Sequence, residues 1–190
     1  MQRVVTSFYP QLPMPMLPPI HLTRWIEEHR DQLKPPIGNK VLYKDSEFII
    51  MIVGGPNART DFHISDSEEF FYMLEGDMVL RVEEDGKLKD IPIKEGEVFL
   101  LSARTPHSPQ RTAGSIGLVI ERTRREGELD GVRWYCENCQ HVLYEEFFVL
   151  HDIVEQLREI VEKFNKTKAL HTCANCGEVA QTPSTQPSDR

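Results

Sequence analysis

A series of short apolar segments separated by turn sequences constrains the fold of this chain more than any other feature. Between about residues 41 and 122, the segments EFIIMIV, EFFYML, DMVLRV, KLKDIPI, EVFLL and IGLVIE alternate with turn sequences such as GGPN, EGD, EDGK and KEGE. Strands of this length joined by Gly- and Asp-containing turns are typical of antiparallel sandwiches and barrels. Asp85-Gly86 is the clearest hairpin signal. The sequence therefore predicts an all-β-dominated protein.

Changes of composition divide the chain into four predicted regions. They are a proline-rich N-terminal extension (1–20), a barrel with an N-terminal helix (21–130), a C-terminal metal module (131–180) and a disordered tail (181–190). The boundary near residue 130 follows from the charged, glycine-containing stretch RREGELDG, and the tail is polar and contains proline. At 190 residues, 39% of them hydrophobic, the chain suffices for one core with a small appendage.

Two segments have helical rather than strand periodicity. In HLTRWIEEHRDQL the apolar residues that share one helical face are Leu22, Trp25, Ile26 and Leu33, and KPPIGN ends the pattern. In DIVEQLREIVEKFN the corresponding residues are Ile153, Leu157, Ile160, Val161 and Phe164. A few helices are therefore expected to flank the sheets.

Net charge limits the class of partner. The formal charge is −8 and the isoelectric point is near 5.4, which argues against a general binder of nucleic acid or anionic membranes, because both need clustered Lys and Arg. No run reaches the roughly 20 apolar residues that span a bilayer. Prolines interrupt the apolar N-terminus, so it does not read as a secretory signal. We therefore expect a cytoplasmic protein with a small-molecule partner.

His63, Glu69 and His107 are the candidate ligands of a catalytic metal. His63 precedes Glu69 by six positions, and His107 follows a later glycine turn and one strand. Two hairpins of a barrel can bring the three side chains together, and two histidines with one carboxylate form the facial triad of non-haem Fe(II) oxygenases. Each residue alone is more often an ordinary surface or core residue, so the joint pattern carries the prediction.

All four cysteines fall in two CxxC pairs, whose members are Cys136, Cys139, Cys173 and Cys176. Two such pairs supply four thiolates for a tetrahedral Zn site or a rubredoxin-like Fe site. No thioredoxin-like βαβ pattern surrounds either pair, which disfavours a redox role. A closed shell of four sulfurs leaves no room for substrate, so the module is expected to anchor the strand HVLYEEFFVL and the following helix onto the barrel. His141 and His171 are expected to lie beside the site without ligating it.

The metal-ligand motifs resemble those of the cupin family, which implies a double-stranded β-helix, or jelly-roll barrel. The first cupin motif ends with a glutamate, six further residues and a glycine, as Glu69 and Gly76 do here. The second runs from a turn glycine to a proline and a histidine, as in KEGEVFLLSARTPH. Many cupins have His-x-His in the first motif, whereas residues 63–65 read His-Ile-Ser. The resemblance therefore implies three protein ligands rather than four.

A more specific resemblance covers the chain from about residue 22 to residue 177. The segments LKPPIGN, VGGPNARTDFH, EEFFYMLEGDM, PHSPQR and GLVIERTRREGELDGVRWYC are similar to the 3-hydroxyanthranilate 3,4-dioxygenase family, in its bacterial type with a second metal site. The resemblance implies Fe(II)-dependent cleavage of 3-hydroxyanthranilate by O2 to 2-amino-3-carboxymuconate semialdehyde, a step of the kynurenine pathway towards quinolinate and NAD. It also implies a homodimer.

The same resemblance assigns roles around the metal. Arg111 matches a residue that binds the substrate carboxylate, for which its planar fork is suited. Glu121 is expected to accept a proton from the phenol or amine, and Arg59 to stabilise negative charge on oxygen. Asn39 matches a fourth pocket residue. For each charged residue the alternative is an exposed position on a strand.

Three other functions stay open at this stage. The chain could be a cupin that binds a small molecule without catalysis, a cupin dioxygenase acting on another aminophenol or catechol, or a zinc-ribbon protein that docks partners. Thiol dioxygenases of the cupin class resemble three-histidine sites, so Glu69 argues against them.

Overall fold

The computed structural model describes residues 16–35, 38–43, 46–57, 59–151 and 153–181, without the side chains at 153 and 154. The predicted N-terminal extension and C-terminal tail lie almost wholly outside the described residues. In chain order the elements are α1 (Leu22–His29), a 3-10 turn (Arg30–Leu33), β1 (Asn39–Tyr43), β2 (Phe48–Gly54), β3 (Phe62–Ser65), β4 (Glu69–Glu75), β5 (Met78–Glu84), β6 (Lys87–Ile93), β7 (Val98–Leu101), β8 (His107–Arg111), β9 (Ile116–Arg122), β10 (Asp130–Tyr135), β11 (Val142–Phe148) and α2 (Ile153–Lys166). No helix among these residues is long and apolar enough to cross a membrane.

The strands form two antiparallel sheets. One has the order β1-β2-β9-β4-β7 and the other the order β11-β10-β3-β8-β5-β6. Strands distant in the sequence are neighbours in both sheets, as in a jelly roll, in which two sheets face each other across one core. The predicted all-β-dominated barrel with flanking helices is therefore confirmed.

The barrel core lies between the two sheets. Side chains alternate in burial along β4, from buried Phe71 and Met73 to half-buried Phe70 and Tyr72. The inward-facing residues form one cluster, which comprises Phe71, Met73, Met78, Leu80, Val82, Ile93, Leu101 and Val119. Since side chains on a strand alternate between faces, this register also decides that Glu69 faces inward.

The predicted hairpin and the first helix are both present. Asp85 and Gly86 join β5 to β6 with φ angles of 53° and 76°, the left-handed pair that a two-residue hairpin turn requires. Helix α1 buries Ile26, and the turn that follows buries Leu33, against Ile52 of β2. The helix therefore covers one end of the outer face of the five-stranded sheet.

The C-terminal segment continues the barrel sheet. Strand β10 pairs with β3, and β11 pairs with β10. Helix α2 packs on this extension, where Phe164 stacks on Trp134 with ring centroids 4.3 Å apart. The proposed boundary between residues 130 and 131 thus falls within a continuous sheet, at the first residue of β10, and as a division into domains it stays a prediction.

Candidate metal centre and active site

Three strands bring the predicted metal ligands together. His63 on β3 lies directly opposite His107 on β8, and Glu69 begins β4 in the other sheet. Their ligand atoms all lie within 4.8 Å of one another, and both Glu69 and His107 are buried. The barrel interior therefore holds two imidazoles and a carboxylate in one place.

The hydrogen bonds of the two imidazoles leave one nitrogen of each ring free to bind a metal. His107 Nδ1 lies 3.0 Å from the carbonyl oxygen of Thr105, which can only accept, so Nδ1 carries the proton. His63 Nε2 lies 2.7 Å from Asp130 Oδ2, and the pKa of Asp130 falls to about 2 because hydrogen bonds from Arg124 and His63 outweigh its burial. Each ring therefore donates from one nitrogen and keeps a lone pair on the other, as metal-binding histidines do.

Glu69 lacks the partner that a buried carboxylate oxygen requires. Its Oε2 is 2.9 Å from His107 Nε2, yet this contact lacks hydrogen-bond geometry, and Oε2 has no hydrogen-bond partner among the described residues. Burial alone would raise the pKa of Glu69, but His107, His63 and Arg59 together hold it below its usual value. A buried, ionised oxygen without a donor is costly, and a cation satisfies it. This donor set fits a divalent cation such as Fe(II).

Glu121 lies beside the candidate ligands. It is opposite Glu69 in the register of β4 and β9, so both carboxylates are on the same face. Burial and the charge of Glu69 raise the pKa of Glu121, while Arg124 Nη1 donates to its Oε2 at 2.6 Å. A carboxylate with a raised pKa next to a metal centre suits proton transfer.

Arg111 is buried without a carboxylate partner among the described residues. Its side chain is only 5% exposed, and its Nη1 contacts the Met73 sulfur at 3.6 Å. Burial lowers the pKa of Arg111 to about 10. The guanidinium lies so close to Gly117 that a Cβ there would be 2.6 Å from Nη1. The barrel therefore buries a guanidinium group that has no ion-pair partner among the described residues. Burying an unpaired charge lowers the stability of the folded protein.

Of the two other predicted pocket residues, Arg59 interacts with a candidate ligand, whereas Asn39 has no such contact among the described residues. Arg59 pairs with Asp61, with Nε 3.3 Å from Oδ1 and a closer contact from Nη2, and its charge acts on Glu69. Asn39 begins β1 opposite Val53, which packs against the barrel core. Asn39 is exposed and its side chain bonds to none of the described residues, so its role stays a prediction.

Sequence reasoning missed two residues of the site, Arg124 and Asp130. Both lie in or beside RREGELDG, which reads as a charged boundary segment. In the structure Asp130 begins β10, is fully buried and bonds to His63. A pairing between residues 67 positions apart leaves no local signal in the sequence.

The four cysteines also converge. Cys136 Sγ lies 3.6 Å from Cys176 Sγ, and Cys139 Sγ lies 3.5 Å from Cys173 Sγ; all four sulfurs are within 4.8 Å of one another. Sulfurs around Zn at about 2.3 Å are about 3.8 Å apart at the corners of a tetrahedron, whereas a disulfide needs about 2.05 Å. The cluster therefore fits a tetrahedral metal site.

The two CxxC pairs form matching loops. Cys136 N donates to the carbonyl five residues ahead at 2.8 Å, and Cys173 N does the same at 2.7 Å. The residue after each second cysteine, Gln140 or Gly177, has a positive φ, and its N–H donates back to the first cysteine of its own pair. Both loops therefore present their two sulfurs in the same way, as a closed four-sulfur shell requires.

Fold and site together define the class: a two-sheet jelly-roll barrel with a candidate His-Glu-His metal site inside it and a second cluster of four cysteines. The family model of 3-hydroxyanthranilic acid dioxygenase (3-HAO) matches residues 14–165. The chain belongs to this family.

Curated relatives extend the similarity over most of the chain. A 3-hydroxyanthranilate 3,4-dioxygenase of Xanthomonas oryzae pv. oryzae (strain MAFF 311018) is 55% identical over 168 residues, which are 88% of this chain and 95% of that protein. The enzyme of the same name from Bacillus cereus (strain ATCC 10987 / NRS 248) is 46% identical over 160 residues, 84% of this chain and 89% of its own length. The similarity therefore covers most of this chain and most of each relative.

Proposed function

We propose that the protein is an Fe(II)-dependent, extradiol-type dioxygenase that cleaves the ring of 3-hydroxyanthranilate with O2 to give 2-amino-3-carboxymuconate semialdehyde. The observation that carries the proposal is the cluster of half-buried His63 with buried Glu69 and His107, together with the unpaired cation of Arg111, whose charge acts on Glu69. The two relatives described above are 3-hydroxyanthranilate 3,4-dioxygenases by name. The reaction places the protein in the kynurenine pathway, and the four free thiols suit a cytoplasmic protein.

Each pocket side chain has one task in this reaction. When bound, Fe(II) supplies open coordination positions for an aminophenol and for O2. Arg111 binds and orients the carboxylate of the substrate. Glu121 accepts a proton from the phenol or amine as the substrate enters, since burial and the charge of Glu69 raise its pKa and make it a stronger base. Arg59 contributes positive charge where negative charge develops on oxygen.

The test of this function is a reaction that depends on iron, substrate and O2 together. Full-length protein is loaded with Fe(II) without air and given 3-hydroxyanthranilate, and then isotopically labelled O2 is admitted. We expect one O2 consumed per substrate and both labelled atoms in the freshly formed semialdehyde, measured by an oxygen electrode and mass spectrometry. Iron-loaded protein that binds the substrate but consumes no O2 would instead support a cupin that binds without catalysis.

A comparison of two substrates tests which aminophenol the site selects. 2-Aminophenol keeps the chelating pair but lacks the carboxylate that Arg111 is expected to bind. A charge-assisted hydrogen-bonded pair contributes about 1.5–3 kcal/mol, so Arg111→Met is expected to lower kcat/KM for 3-hydroxyanthranilate by roughly 10- to 150-fold and to change kcat/KM for 2-aminophenol little. An equal loss of kcat/KM for both substrates would show that Arg111 does not recognise the carboxylate.

We also propose that two copies of the chain form a homodimer through the outer face of the five-stranded sheet. An apolar row crosses four strands in register, at Ile50, Ile120, Phe70 and Leu100, and Leu100 is 56% exposed. A two-fold axis joins the same surface of both subunits. Two such apolar faces can therefore cover each other, as two sheets do when they pack face to face with their strands nearly aligned. A solution mass of twice 22.0 kDa is expected, and Leu100→Asp is expected to halve it. A monomeric wild type, measured by sedimentation, would contradict the proposal.

The second centre is proposed to hold Zn or Fe in a structural role. Four protein sulfurs complete a tetrahedral shell and leave no position for substrate. The two cysteine pairs flank β11 and α2 in the sequence, so an ion bound by both fixes these elements against the barrel.

A further inference from the structure

A chain of buried charged groups connects the candidate metal ligand His63 with the candidate proton acceptor Glu121. Asp130 Oδ2 lies 2.7 Å from His63 Nε2. Arg124 donates to both oxygens of Asp130, from Nε and from Nη2, at 2.6 Å each. The remaining nitrogen of the fork, Nη1, donates to Glu121 Oε2 at 2.6 Å. One arginine therefore joins the two halves of the site.

We propose that Arg124 and Asp130 are positioning residues of the active site, Asp130 for the metal ligand His63 and Arg124 for both Asp130 and Glu121. This inference rests on the proposed metal site and deepens it. Neither residue contacts the position between His63, Glu69 and His107 directly, so each acts through the side chain that it holds.

Asp130 sets which nitrogen of His63 faces the metal. Both of its oxygens already accept from Arg124, so the carboxylate can only accept from the imidazole as well. Nε2 of His63 must then carry the ring proton, and Nδ1 keeps the lone pair that binds a metal. Asp130 is itself fixed, because its side chain is fully buried and its backbone is paired with Ser65 of β3.

Arg124 sets the orientation of Glu121 and limits the negative charge of the site. Its side chain is 8% exposed and engages only Oε2 of Glu121. Oε1 has no hydrogen bond from any residue that the structure describes, and it is left to accept a proton from a substrate. Without Arg124, the carboxylates of Glu69, Glu121 and Asp130 would share one buried region with fewer cations to balance them.

The first experiment changes Asp130 to Asn. The amide has one carbonyl oxygen and one NH2 group, so it can accept only one of the two hydrogen bonds from Arg124. When the oxygen accepts from Arg124 Nε, the NH2 group faces His63, donates to its Nε2 and moves the ring proton to Nδ1, the nitrogen otherwise free for the metal. We expect Fe(II) affinity, measured by calorimetry without air on full-length protein whose cysteine site is filled, to fall by about 10- to 100-fold. The nitrogen NMR spectrum of His63, recorded without the catalytic metal, is expected to show part of the population with the ring proton on Nδ1, where the wild type has it on Nε2. An unchanged tautomer would overturn the role of Asp130.

The neighbouring pair of Arg122 and Glu128 provides a matched control. It has the same sequence spacing as Arg124 and Asp130, and Arg122 Nη1 lies 2.6 Å from Glu128 Oε2, yet the pair does not contact His63 or Glu121. Glu128→Gln is expected to leave both the Fe(II) affinity and the His63 tautomer unchanged. A loss equal to that of Asp130→Asn would show that any lost ion pair loosens the site, which would overturn the inference.

Two further variants separate positioning from folding. Arg124→Lys keeps a positive charge but cannot reach Asp130 and Glu121 together, so we expect a lower kcat with a smaller change in KM; unchanged kcat would overturn the role of Arg124. If Asp130→Asn does not fold, Arg124→Met with Asp130→Asn removes both charges, and a mixed His63 tautomer is expected. Failure of the wild-type protein to bind Fe(II) would overturn the proposed function. Fe(II) binding by the wild type, with the same affinity and the same His63 tautomer in the variants, would overturn only this inference.

Discussion

Replacing Glu69 with alanine is expected to lower both Fe(II) affinity and ring cleavage by more than about 100-fold, because the change removes one of three metal ligands and even the partners of such ligands typically contribute 10- to 100-fold. The metal-free variant is expected to stay folded. In the wild type, attraction to His107, His63 and Arg59 favours the Glu69 carboxylate. Burial, an Oε2 without a hydrogen-bond donor among the described residues and the neighbouring Glu121 offset most of this attraction, so the loss of stability without metal is expected to be small. Fe(II) binding by calorimetry, the rate of O2 consumption and a metal-free thermal melt measure the three effects.

The same experiment distinguishes a metal site from a buried ion pair between Glu69 and His107. The pKa of His107 is raised, since the charge of Glu69 outweighs the effect of burial, so a structural ion pair is the physical alternative. Breaking a buried ion pair typically costs about 3–5 kcal/mol. A metal-free Glu69→Ala protein that is destabilised by this amount, with Fe(II) affinity intact, would support the ion pair. Glu68→Gln is the control, because this neighbour is exposed and should change neither quantity.

The parts of the site that the sequence predicts are those carried by local spacing. Glu69 is predicted as a ligand from its distance along the chain to His63 and Gly76; EFFYML is otherwise an unbroken apolar run, and only the structure shows the alternation in burial that places Glu69 on the inner face. His107 is harder, because β8 contains Pro109, which argues against a strand. Pro109 has no N–H to donate to a neighbouring strand. Its carbonyl accepts from the side chain of Asn57 at 2.8 Å rather than from a strand, so β8 tolerates a proline at this position.

What the sequence does not predict are contacts between distant segments. The charges of RREGELDG look like a solvated boundary, and nothing in their spacing shows that Asp130 opens a strand buried beside β3. Likewise, no sequence pattern marks Arg111 as unpaired, because its pairing depends on which carboxylates lie within reach of its guanidinium in the folded barrel. Local chemistry therefore predicts the ligands, whereas their supporting contacts need the three-dimensional structure.

Replacing Cys136 and Cys173 with serine is expected to remove one metal ion per chain and to unfold the C-terminal segment while the barrel stays folded. One cysteine from each loop is changed, so neither loop can hold the ion alone. Binding of structural zinc contributes about 10–16 kcal/mol to folding in small zinc modules, and α2 otherwise depends on one small cluster around Trp134 and Phe164. Metal analysis and limited proteolysis are expected to show loss of the ion and cleavage after β11.

Ring cleavage by this variant is expected to fall by less than about 10-fold at a temperature at which the barrel is folded, because His63, Glu69 and His107 all lie on barrel strands. His141→Ala is the control. Its side chain is exposed, and its contacts with the cysteine loop are made by the backbone, whose carbonyl accepts from Cys136 N and whose N–H donates to the Cys139 sulfur, so the variant should keep the second ion. Complete loss of catalysis with a folded barrel and a filled Fe(II) site would contradict a purely structural second centre. The cysteine site would then affect catalysis through β10, since this strand begins at Asp130 beside His63 and ends one residue before Cys136.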